Sequence, residues 1–115
     1  MLGYKLVELY SEEELAASVK SVEQMFPEDI EHIRYTVKED WTGDPSIFFR
    51  ILLKDKGDVI AQAARRRDDS FRAVFAFTNR IEKELRAAVG DLHLPVYFSF
   101  RLVSEQREIK EPTWD

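Results

Sequence analysis

The chain has 115 residues, 44% hydrophobic and 34% charged, the size and balance of one domain that buries a core and stays solvated, which excludes disorder as its global state. It has no cysteine, so disulfides, zinc–thiolate sites and thiol nucleophiles are excluded. The net charge of −5 is uneven: Glu8, Glu12, Glu13, Glu14, Glu23, Glu28, Asp29 and Glu31 face only Lys5 and Lys20 in residues 1–31, which argues against broad nucleic-acid binding and for either a basic partner or a solvated face.

In chain order, Lys5 and Glu8 interrupt the opening segment, so it lacks the apolar stretch of a signal peptide. The apolar run Ile47-Phe48-Phe49 stops at Arg50, and no apolar run approaches the roughly 20 residues of a membrane span. A cytoplasmic protein without membrane contact is expected. Tyr4–Tyr10 reads as a short strand. Ser11-Glu12-Glu13-Glu14 has the form of a capping box, and Leu15, Val19, Val22 and Phe26 follow at spacings of three and four, so a helix is expected to run to Phe26 and stop at Pro27.

From Ile30 the period falls to two, with Ile33, Tyr35 and Val37 on one side and His32, Arg34, Thr36 and Lys38 on the other. Asp40–Pro45 is rich in turn residues, and the β-rich run Ile47–Leu53 completes a hairpin that ends in Lys54–Gly57. Ile60, Ala63, Ala64, Phe71, Val74, Phe75, Ile81 and Leu85 form a helical stripe within Asp58–Val89. Ser70–Val89 is its firm part, and Gly90 its stop. Arg65–Arg67, followed by Asp68 and Asp69, reads as an ion-pair cluster at a helix end. Val96–Val103 alternates as a last strand, and Ser104–Asp115 is a charged tail on a single domain spanning residues 1–115.

The order β-α-β-β-α-β is that of a ferredoxin-like α+β sandwich, a sheet with two helices on one face. Without the first strand it becomes an α-β-β-α-β layer. The core face would hold Ile33, Tyr35, Val37, Ile47, Phe49, Ile51, Leu53, Val96, Phe98, Phe100 and Leu102. The opposite face would hold His32, Arg34, Thr36, Lys38, Phe48, Arg50, Leu52, Tyr97, Ser99 and Arg101.

That second face is basic and partly aromatic, and it supplies the candidate binding residues. Arg50 beside Phe48 and Arg101 beside Tyr97 suit a carboxylate, a phosphate or a stacked ring. Trp41 at the hairpin tip is either an interface anchor or a cover for the core edge. Trp114, a lone large aromatic in the tail, is expected to dock on its own domain or on a second copy, which makes a homodimer a further expectation.

Catalytic signals are sparse. Glu39, Asp40 and Asp44 cluster at the tip, where turn chemistry explains them more simply than metal binding. His32 and His93 lack metal-ligand or nucleophile spacing, and no glycine-rich phosphate loop is present. No cofactor and no metal are expected. The pattern points to a small non-catalytic interaction or regulatory module, of a bacterial-type accessory, antitoxin-like or immunity-like kind, with another protein as partner. An enzyme using Asp40, Asp44 and Arg50 on a phosphorylated substrate is the alternative. A single-stranded RNA binder comes third, because Ser46–Leu53 lacks the glycine-containing RNP1 pattern.

Overall fold

A computed structural model describes residues 12–57, 70–90 and 94–114. The expected strand at Tyr4–Tyr10, the Ser11 cap, the stretch Asp58–Asp69 and His93 lie outside the described residues. Within them the order is α1 (Glu12–Met25), β1 (Ile30–Glu39), β2 (Pro45–Leu53), α2 (Ser70–Val89), β3 (Val96–Leu102) and α3 (Val103–Ile109), ending in a 3-10 turn at Pro112–Trp114. No helix among the described residues is long and apolar enough to cross a membrane.

The fold is α+β, with a mixed three-stranded sheet in the order β1-β2-β3. β1 and β2 form the expected antiparallel hairpin, Tyr35 opposite Phe49 and Glu39 opposite Pro45. β3 then lies parallel to β2, Phe49 opposite Phe98 and Leu53 opposite Leu102. A parallel neighbour needs a crossover, and α2 lies in it. The ferredoxin-like arrangement is not confirmed. In such a sheet the strand beside the hairpin's second strand is the first one, whereas here β3 takes that place, and the described strands are fewer.

Period-two alternation positions the core as expected. Ile33, Ile47, Phe49, Ile51 and Leu53 are buried, with Tyr35, Val37, Val96, Phe98, Phe100 and Leu102 packed at the margin. Phe49 is held between Tyr35 and Phe98, ring centres 6.1 and 5.7 Å away. α1 contributes Leu15, Val19, Val22 and Phe26, and α2 contributes Phe77, Ile81, Leu85 and Val89. Phe26 meets Phe77 edge-on at 5.5 Å, the arrangement that ring quadrupoles favour. One expected stripe residue is corrected: Phe75 is exposed, because the buried face of α2 follows the strict i+4 series from Phe77 to Val89. Gly57 is fixed by a close approach, since a Cβ there would come within 3.0 Å of the Asp29 Cα and the Glu28 carbonyl oxygen.

The larger departure is Ser104–Asp115, expected as a charged tail. Its described part is α3 and the 3-10 turn, which fold back over the second face of the sheet. Asp55, in the turn after β2, accepts hydrogen bonds from the Ser104 amide at 2.8 Å and from the Ser104 hydroxyl, capping α3 from outside the helix. The Ser104 hydroxyl is the main cause that holds the Asp55 carboxyl below its ordinary pKa. Glu105 accepts from the Leu102 amide at 3.1 Å. Lys110 ends the helix in the left-handed region, φ 58°, its amide donating to the Gln106 carbonyl at 2.7 Å.

Candidate functional site

The sheet register arranges the second face in rows. Thr36, Phe48 and Tyr97 form one, Arg34, Arg50 and Ser99 the next, and His32, Leu52 and Arg101 the last. The tail divides this face in two.

Over the last two rows the tail closes. Trp114 is buried, and the Arg101 guanidinium lies 4.2 Å from its ring centre. Arg101 also donates to Gln106 Oε1 at 2.7 Å and pairs with Glu111 at 3.3 Å. Gln106, itself buried, donates to the Glu111 carbonyl at 2.6 Å. His32 Nε2 lies 2.6 Å from the Trp114 carbonyl oxygen, to which it donates. Arg50 donates to the Thr113 carbonyl and to Thr36 Oγ1, both at 2.8 Å. Burial, then the charge of Arg34, lowers the pKa of Arg50. Leu52, an apolar residue on the polar face, is buried here. Two expected binding residues, Arg50 and Arg101, therefore hold the tail, and the docking expected of Trp114 takes place on its own sheet.

The first row stays open. The Phe48 and Tyr97 rings stack at 5.0 Å and 24°, and Trp41 leans on Tyr97 at 5.0 Å and 52°. Lys38 Nζ sits 4.8 Å from the Phe48 ring centre. Trp41 is 79% exposed, so it does not cover the core edge. These three aromatics make a ladder that runs from the hairpin tip onto the sheet.

Asp40 places the ladder. Its Oδ1 accepts from the Thr42 amide at 2.9 Å, the Thr42 hydroxyl at 2.5 Å and the Asp44 amide at 3.1 Å. Its Oδ2 accepts from the Tyr97 hydroxyl at 2.9 Å and lies 3.2 Å from Ser46 Oγ, which is fully buried. Donors on this scale stabilise the carboxylate, and the Thr42 hydroxyl is the main cause that holds Asp40 far below the usual carboxylate range. The same bond to Asp40 raises the pKa of Tyr97. Gly43, with φ 87°, supplies the left-handed residue that this five-residue turn needs.

Asp40 thus closes a turn, the simpler of its two sequence-based roles, and also orients an aromatic, and it does not converge with Arg50 and Arg101. Among the described residues no group of three or more His, Asp or Glu side chains is placed to hold a metal ion. Sequence reasoning missed the roles of Asp55, Ser104 and Gln106, since each acts only once the tail has folded back. It also missed the joining of Trp41 to Tyr97 and Phe48, which depends on β3 lying beside β2. Scans against protein-family models, curated proteins and solved structures return no match.

Proposed function

We propose that this chain is a small non-catalytic interaction module that engages another protein through the Trp41–Tyr97–Phe48 ladder. The observation that carries this is Trp41 itself, 79% exposed yet braced on Tyr97, whose hydroxyl is tied to Asp40. An exposed tryptophan costs a monomer solubility and gives it no core. A rigid, pre-oriented aromatic at a loop tip is the usual form of an interface anchor, since little conformational entropy is lost on binding. Lys38 at the rim adds a cation that biases the partner surface toward acidic groups.

A protein suits the ladder better than a nucleobase. Phe48 and Tyr97 stack on each other, which uses ring faces that a base would otherwise cover. A homodimer is the case in which the partner is a second copy of the chain.

The test places a photo-crosslinking phenylalanine analogue at position 41 in cells, with the same analogue at Lys83, exposed on α2, as the control. A discrete adduct from position 41 that is absent from position 83 is expected. Its mass separates a second copy from a different protein. No adduct at position 41, or the same adducts at both positions, would refute the anchor role.

A further inference from the structure

Between β1 and α3 lies an open cavity of about 560 Å³, lined by Glu31, His32, Arg34, Leu52, Val103, Gln106, Arg107 and Lys110. The protein as a whole is acidic, at −5, but this cavity sets Arg34, Arg107 and Lys110 against Glu31 alone. Among the described residues none of the three cations makes an ion pair within 4 Å, and the one salt bridge is Arg101–Glu111.

Arg107 and Lys110 stand near the C-terminus of α3, where cations offset the helix dipole, and Arg107 also feels the charge of Asp55. Arg34 has no such account. It lies directly opposite Arg50 across the β1–β2 pair, and like charges so placed repel. Arg50 is held by two neutral oxygens, of Thr113 and Thr36, and among the described residues neither arginine forms an ion pair with a carboxylate. An unrelieved repulsion beside a positive cavity is an arrangement that a bound anion would remove.

We propose that this cavity binds an organic phosphate, its anionic group met by Arg34, Arg107 and Lys110 and its carbon body resting on Val103. The volume falls in the range of small-molecule sites and exceeds what one inorganic anion fills. Guanidinium groups match phosphate oxygens in a two-pronged geometry, while Lys110 serves as a point charge. The site is separate from the Trp41 ladder and does not depend on it.

The test titrates the full chain with ribose 5-phosphate, with inorganic pyrophosphate and with citrate, following backbone amide shifts by NMR. Saturable shifts at Arg34, Arg107 and Lys110 with ribose 5-phosphate are expected, with a dissociation constant of about 1 mM or tighter. Arg34→Gln and Lys110→Asn should each weaken it by about tenfold, the loss of one charge-assisted contact. Asparagine tolerates the left-handed backbone at position 110, so that variant keeps the helix end. Pyrophosphate or citrate binding as tightly as ribose 5-phosphate would overturn the organic-phosphate assignment. No saturable shift with any of the three, or binding that both variants leave unchanged, would overturn the site itself.

Discussion

At the scale of single residues, Asp40 and Tyr97 share one hydrogen bond whose consequences run to both ends of the pH scale. The Asp40 carboxyl is lowered by Thr42, Tyr97 and the turn amides, so the folded state prefers its ionised form. Its contribution to stability is complete above the unfolded carboxyl value of about 4, and is lost as pH falls through the lower folded value. The Tyr97 phenol is raised by Asp40, so the folded state prefers its neutral form. That contribution is complete below the unfolded phenol value of about 10 and is lost as pH rises through the higher folded value. Asp40→Asn should flatten the acid limb of a plot of stability against pH, and Tyr97→Phe the alkaline limb, in denaturant melts across pH. Slopes identical to those of the parent protein would mean that the bond does not form in solution.

At the scale of elements, α3 is the informative case. Seven residues are too few to hold a helix by propensity. It stands because Asp55 caps it from the turn after β2, Gln106 and Arg101 tie it to the sheet, and Trp114 closes the end. Asp55→Ala and Trp114→Ala should therefore raise amide exchange in Val103–Ile109 while leaving α1 and β2 protected. Trp114→Ala should cost about 3 kcal/mol, the lower end of the scale for an aromatic truncated at a buried site. Exchange spread evenly over the chain would show that the tail is not a separate unit.

The same element marks where the sequence stops being legible. The alternation of β1, β2 and β3 depends only on neighbours two apart, and the core face was readable from Ile33 to Leu102. The turn chemistry of Asp40, Gly43 and Pro45 is equally local. The covering of Arg50 and Arg101 is not, because it depends on contacts that arise only when residues 103–114 meet the sheet. Two arginines that look free on a strand therefore read, from the sequence, as part of a binding surface. The neighbour of β2 was likewise beyond reach, since strand order follows from the crossover and leaves no mark on the period of β3.

At the scale of the whole molecule, one sheet serves two purposes. Its first face carries the core under α1 and α2, and its second is shared between a docked tail and an open aromatic ladder. The chain has two tryptophans, one in each half of that second face, so their environments report the division directly. Fluorescence quenching by acrylamide in Trp41→Phe, which keeps only Trp114, and in Trp114→Phe, which keeps only Trp41, measures each alone. Trp114 should emit as a buried ring and resist the quencher, while Trp41, 79% exposed, should be quenched almost as freely as a tryptophan in an unfolded peptide. Equal quenching of the two, or a shielded Trp41 beside an accessible Trp114, would contradict both the closed tail and the exposed anchor.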